Sequence, residues 1–232
     1  MTIPNYRDAF SRFLAEQKAA VQFHNPNYSN SAITRERYKR LQEARETLKI
    51  NARGYAAIQP GNDPTAALAE AFEGIQARDA DSVAVANNEW GKVRAMLDSG
   101  RELGQMIDNA DRRRLSAILD RVEELGIQSG DVEGVTAEVQ QRVLARLAAL
   151  GDEKAKAAIT AQEASRFGSA WQQVIEQALA GQVSVDARGA LFNVSPEDYQ
   201  ATFGLDDPDW PEVDQTVQHL DRLGPSLAEE SA

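Results

Sequence analysis

Cysteine is absent from this 232-residue chain, which excludes disulfides, thiolate metal sites and cysteine nucleophiles. A chain without thiols fits a reducing compartment. Aromatic residues are scarce, at 6%, and histidine is scarcer, with His24 and His219 as its two copies. No apolar run approaches the roughly 20 residues that a membrane-crossing helix needs. The opening MTIPNYRDAF lacks the apolar core of a secretory signal. Asn27-Tyr28-Ser29 and Asn193-Val194-Ser195 match the glycosylation pattern, but without such a signal they read as coincidence. The expected location is cytoplasmic, with no membrane partner, or virion-associated if the chain comes from a phage.

Alanine is abundant, at 37 residues, and hydrophobic residues make up 42%. Alanine is the best helix former because it loses no side-chain entropy on entering a helix. Each alanine buries little area, so the expected core is thin, which leaves a reason to bury more surface against another subunit. The net charge of −11 is unevenly spread. Residues 1–60 hold 10 basic against 5 acidic side chains, residues 61–180 hold 13 against 20, and residues 181–232 hold 2 against 11. A basic front and an acidic rear suit partners of opposite sign, including copies of the same chain. Solubility alone also calls for net charge, without any partner.

The hydrophobic pattern is helical along most of the chain. Tyr6, Phe10, Phe13, Leu14 and Val21 predict a helix over residues 5–23, ended by Asn25-Pro26-Asn27. Residues 34–58 predict a long helix with the stripe Leu41, Ala44, Leu48, Ala52, Tyr55 and Ile58. Leu41, Leu48 and Tyr55 lie seven apart, the spacing of a coiled-coil seam, over about two and a half heptads. Asp63-Pro64 is a helix start, and Gly100 with Gly104 marks a kink or short linker helix. Asp111 opens a helix carrying Leu115, Ile118, Leu119, Val122 and Leu125, with Gly126 as its C-cap and a glycine-bearing loop to Gly134. Val139, Val143, Leu147 and Leu150 mark another helix, and residues 152–180 the longest one. Residues 182–185 and 190–194 are short β-prone runs around Asp186-Ala187-Arg188-Gly189, which predicts a small hairpin. Ser195-Pro196-Glu197-Asp198 starts a short helix, and Val213, Val217 and Leu220 mark a last one up to Gly224, before a frayed tail.

The expected fold is therefore mainly α: a multi-helix protein with a long N-terminal helical arm and a small β-hairpin plus short helices near the C-terminus. The expected segments are a basic helical arm over 1–60, a helical bundle over 61–181 and an acidic C-terminal segment over 182–232.

Residue types that carry chemistry are few. No HExxH, GxSxG, P-loop or GxGxxG pattern occurs. His24 falls at a helix end and His219 on a helix near acids; neither has the sequence neighbours of a triad or a zinc site. Asp206, Asp207, Asp209, Glu212 and Asp214 form an acidic cluster of the kind calcium favours. Counted from Asp207, however, the sixth position is Glu212 where an EF-hand loop needs glycine, and Pro208 and Pro211 stiffen the segment. The plainer reading is a solvated loop with helix caps. The helix over 34–55 carries Arg35, Arg37, Lys39, Arg40, Arg45, Lys49 and Arg53, and Arg112-Arg113-Arg114 adds a triplet. Phosphate contacts would account for these cations. The interleaved Glu36, Glu43 and Glu46 instead suit a salt-laced exposed helix. Trp90 and Trp171 sit on apolar helical faces and read as core, whereas Trp210, between Pro208 and Pro211, is either a cap over the hairpin or an anchor for a partner.

These observations assign no catalytic, cofactor-binding or metal residue, and no cofactor. They point to a non-enzymatic structural or assembly protein acting by helix-mediated oligomerisation or docking, with homo-oligomers or protein partners in a larger assembly. Its interaction residues are Arg37, Arg40, Leu41, Arg45, Leu48, Tyr55 and Trp210. Small helical virion and scaffolding proteins of tailed bacteriophages share this general character, a likeness of class that no motif here carries. The alternatives are a nucleic-acid-binding accessory protein using the basic helix, and an enzyme with a carboxylate-built site.

Overall fold

The computed structural model describes residues 6–56, 63–204 and 210–229. The chain is mainly α-helical, and no strand occurs among the described residues. The helices are α1 (Tyr6–Val21), α2 (Asn30–Ala56), α3 (Pro64–Glu73), α4 (Ala80–Asp98), α5 (Leu103–Asp108) and α6 (Arg112–Leu119), followed by α7 (Val122–Ser129), α8 (Val132–Ala149), α9 (Glu153–Leu179), α10 (Val185–Val194), α11 (Pro196–Phe203) and α12 (Trp210–Glu229). Their starts are set by short acceptor side chains that take up the free amides of a first turn. Asp63 accepts from Thr65 N, Asp111 from Arg114 N and Asp152 from Ala155 N. Asp79 and Ser82 cap each other reciprocally at α4.

The expected hairpin over 182–194 is not formed. Ser184 accepts from Ala187 N and opens α10 instead. Ala187 and Leu191, one turn apart, are both fully buried in the core around Trp171. Strand preference is mostly a preference for packing on a pleated neighbour, and no second strand is there to pair with. Burial of one helical face therefore outweighs the β-propensity of Val183, Val185 and Val194.

The chain divides into two units: residues 1–60 with 165–232, and residues 61–164. The expected segments 1–60 and 182–232 thus belong to the same unit. Within it, α2 packs along α1, α12 contacts α1 and α2, and α11 contacts α1 and α10. The long N-terminal helix is not a free arm, because Leu41, Ala44 and Leu48 are buried. Leu48 lies among Phe10, Phe13 and Trp171, and Leu41 among Ala20, Val21, Val213 and Val217. Trp171 is fully buried, stacks on Tyr6 at 6.1 Å between centroids and meets Phe10 at 5.9 Å. Its indole N–H donates to Asp198 at 3.3 Å, and Asp198 also pairs with Arg7 at 3.6 Å. Helix α12 continues past Gly224 to Glu229. A Cβ on Gly224 would lie 2.7 Å from the Tyr38 hydroxyl, so this glycine permits a close approach to α2 and does not end the helix.

The second unit is built on the pairings α4–α6, α7–α8 and α5–α8. Trp90, Val93, Ile107, Leu115, Ile118, Val143, Leu144 and Leu147 form its core, with Ala155 and Ala158 closing it. The expected single helix from Asp111 to Leu125 is two helices: the Asp120 amide still bonds Ser116, four residues back, but that of Arg121 bonds Ile118, three back, and the ladder breaks there. Gly126 lies inside α7, and the helix stops at Gly130, whose φ of +78° is left-handed. A Cβ on Gly126 would stand 2.6 Å from the Cα of Val132, so glycine lets α7 and α8 touch backbone to backbone. Gly126→Ala is expected to destabilise this unit by about 1–3 kcal/mol through overpacking. Gly91→Ala, in α4 with open space around it, is expected to stabilise it by about 0.5–1 kcal/mol. Denaturant unfolding of the two variants checks both signs.

Candidate functional site

The residues expected to form an interaction surface on α2 have partners inside the chain. Arg37 Nε donates to the Phe23 carbonyl at 2.8 Å. Arg40 lies 4.0 Å above the Phe23 ring and donates to Glu36 at 2.9 Å. Both guanidinium groups therefore hold the connection between α1 and α2. Arg45 grips Asp221 of α12 with two bonds of 2.6 and 2.8 Å, a bidentate fork in which the arginine side chain is only 11% exposed. Leu41 and Leu48 are core residues of the same unit. Tyr55 and Trp210 belong to α2 and α12, and their side chains lie outside the described residues.

The other charged candidates also separate. In the Arg112–Arg114 triplet, Arg112 pairs with the buried Asp152 at 2.7 Å and Arg114 with Glu89 at 3.1 Å. The Lys92 ammonium, then Arg114, holds the Glu89 carboxyl below the usual glutamate range against the opposing cost of burial. Of the acidic cluster, Asp206, Asp207 and Asp209 lie outside the described residues, while Glu212 and Asp214 sit in the first turns of α12. No group of three or more metal-ligating side chains comes together among the described residues. His24 and His219 are both exposed. No helix among the described residues is long and apolar enough to cross a membrane.

The structure assembles one site that sequence reasoning missed. A cavity of about 360 Å³ opens between α1, α10, α11 and α12, beside the end of α9. Phe10, Phe13 and Leu14 of α1 give it an apolar wall, and Phe203 ends α11 against it. Arg188 of α10 lies 5.0 Å from the Phe203 ring centroid. Its Nε is buried with no hydrogen-bond partner among the described residues, as is the Oγ1 of Thr202. Asp214 and Gln218 of α12 and Lys18 of α1 also line it. Asp214 keeps solvent contact, yet the protein around its carboxyl raises its pKa, an effect that Arg188 opposes. The available signal was the scarcity of cations: Arg188 and Arg222 are the two basic residues of the acidic segment 181–232. The hairpin reading placed Arg188 in a turn and concealed it.

No family of proteins, no curated protein and no solved structure matches this chain. Geometry is therefore the support for any functional reading.

Two pairs here have measurable consequences. In a double-mutant cycle of Arg45→Met and Asp221→Asn, the expected coupling is about 1–3 kcal/mol. Because the fork is largely buried, that coupling should persist in 1 M salt, where the Debye length is about 3 Å. For Glu89, a folded pKa below the unfolded one means stability that is present above the usual glutamate range and lost as pH falls through the folded value. Glu89→Gln is expected to cost about 1–2 kcal/mol at pH 7. The gap between wild type and variant should close as thermal unfolding is followed towards acid.

Proposed function

We propose that this is a non-enzymatic assembly protein, whose copies join through an exposed apolar face of α10 and the outer face of α2. The observation that carries this reading is the surface of α10. Val185 and Phe192, seven residues apart on one helical face, are 84% and 51% exposed. A Cβ added at Gly189, between them, would meet nothing within 4 Å. Phe192 is steadied edge-on by Tyr199 at 5.3 Å, so a large apolar side chain is held in solvent. Grouped exposed apolar side chains mark interaction sites more often than isolated ones do.

The complement is argued from α2. Ile50 is 67% exposed on its outer side, beside Lys49, in the basic segment 1–60. The α10 face is flanked by Asp186 and Glu197 in the acidic segment. An apolar centre with acidic flanks then meets an apolar point with basic flanks, which favours orientation and rate more than affinity. The two patches differ, so the contact is heterologous and generates rings or filaments. Shells, tubes and scaffolds are built this way, those of tailed-phage virions among them, and such a subunit would reside in the cytoplasm or in the particle. The engagement of Arg37, Arg40 and Arg45 inside the chain supports this reading over nucleic-acid binding by the same helix.

Sedimentation velocity tests it with two variants, Phe192→Asp and Ile50→Asp. Wild type is expected to form species larger than a monomer, and each variant alone to stay monomeric. Mixed in equal amounts, the variants retain one intact face each and should form a capped dimer. A monomeric wild type, or variants that assemble as wild type does, would overturn the proposal.

A further inference from the structure

We infer that the turn between α1 and α2 is a stacking platform for single-stranded nucleic acid, with an unpaired base lying on the Tyr28 ring. Tyr28 is 47% exposed, and the chain around it holds the ring in that position. Its amide donates to the Asn25 carbonyl at 3.1 Å, and the Asn27 amide donates to the Asn25 side chain at 3.0 Å. On the other flank, Ser29 Oγ accepts from Ala32 N at 3.3 Å at the start of α2. The ring itself meets Phe23 edge-on, with 6.2 Å between centroids. Phe23 is fixed in turn by Arg37, whose Nε donates to its carbonyl at 2.8 Å, and by Arg40, 4.0 Å from its ring centroid. A lone surface aromatic needs no explanation, but this one is fixed by its turn and by a second ring.

An aromatic face presented to solvent beside arginines fits a ligand that combines a flat π-system with negative charge. Nucleobases joined by phosphates have both. In a duplex the base faces are already stacked, so an unpaired nucleotide is what can lie on Tyr28. The local charge agrees. Residues 22–40 hold Arg35, Arg37, Lys39 and Arg40 against Glu36. Glu36 is taken by Arg40 at 2.9 Å, and Lys39 reaches Glu43 at 3.9 Å in a loose, exposed pair. Arg35 and Arg37 make no ion pair among the described residues. Asp221 of α12, the helix packed on α2, is engaged by Arg45 and does not neutralise them. Arg35 stands one helical turn from Ser31, whose hydroxyl pairs with that of Ser29 at 3.0 Å, next to Tyr28. The surface is this turn and not the length of α2 laid on a duplex, because Arg37 and Arg40 build the platform. Ile50 lies about 30 Å from the start of α2, so the inference does not depend on how copies of the chain assemble.

The test uses the full chain and labelled oligonucleotides of about 12 residues: oligothymidylate and oligouridylate as single strands, and a duplex of the same length. Polyphosphate serves as a polyanion without bases. Fluorescence anisotropy is expected to show saturable binding of at least one single strand, and the arm that binds tells DNA from RNA. The duplex and polyphosphate should each bind at least about tenfold more weakly. Amide shifts of the wild type on titration should centre on residues 23–40. Tyr28→Phe keeps the ring and should bind as wild type does. Tyr28→Leu, apolar but without a π-face, should weaken binding by about tenfold. Arg35→Met should weaken it too, and should lower the slope of log K against log salt by about 0.7, the value of one phosphate contact. Arg113→Met, an exposed arginine in the other unit, should change neither affinity nor slope. Tyr28 and Arg35 are exposed, and thermal melting checks that their variants stay folded. No saturable binding of either single strand, equal affinity for the duplex or for polyphosphate, or full affinity in Tyr28→Leu would each overturn the inference. Sedimentation of Tyr28→Leu should match wild type; loss of larger species in it would make the turn a contact between copies and overturn the inference as well.

Discussion

In the unit containing both ends of the chain, the burial of Trp171 is the constraint on which the other elements depend. The indole sits on α9, stacks on Tyr6, meets Phe10 and donates to Asp198 of α11. These partners come from the two ends of the sequence, α1 and α11. A large aromatic surface must leave water, and its one polar atom must find an acceptor. Both demands are met only when α1 and α11 close on α9. Leu48 and Leu191 then complete the same cluster from α2 and α10. The arrangement leaves α1 facing α10, α11 and α12 across a space that its side chains do not fill, and this is the cavity with Arg188 and Thr202.

Alanine shapes the remaining packing. Ala155, Ala158 and Ala161 are essentially fully buried along the first part of α9, and Ala110 and Ala117 are buried in the same unit. Such side chains bring backbones close but remove little apolar area from water. Glycine extends this economy at Gly126 and Gly224, where even a methyl group would collide with a neighbouring helix. Part of the large apolar surface is left outside, on α10 in particular. A thin interior and an exposed apolar face are two results of one composition.

Charge works differently from what its distribution along the chain suggests. A basic front and an acidic rear are equally suited to pairing between copies and to pairing within one. Arg45 with Asp221 and Arg7 with Asp198 show the second use, since both join the N-terminal helices to the C-terminal ones. The Arg45 fork is bidentate and largely shielded from water, so salt screens it less than the more exposed Arg7 pair. In the other unit, Glu89 between Lys92 and Arg114 repeats the principle.

Helix identity was legible in the sequence where a local rule decided it. The 3.6-residue stripe of α2, the Asp63-Pro64 start of α3 and the Ser195-Pro196 start of α11 all act within a few residues of themselves. Reading failed where a distant partner decided. Ala187 and Leu191 make α10 a helix because the Trp171 core receives them, and no local propensity reveals that. Gly126 and Gly224 read as helix stops because their contacts, Val132 and Tyr38, are made in space. Leu41 and Leu48 were visible as a seam, with another subunit or the first helix as its candidate partners; that α9 and α12 also receive it was not visible. The candidate site was the least legible part. Arg188 and Thr202 are fourteen residues apart and lie on two helices, and neither stands in a motif. The sequence by itself determined a helical, thiol-free chain with opposed charge at its ends, because propensity and composition act residue by residue. Only the tertiary structure decided which cations are neutralised in place, which apolar face remains in solvent and which side chains line a cavity, because burial and pairing depend on neighbours brought together by folding.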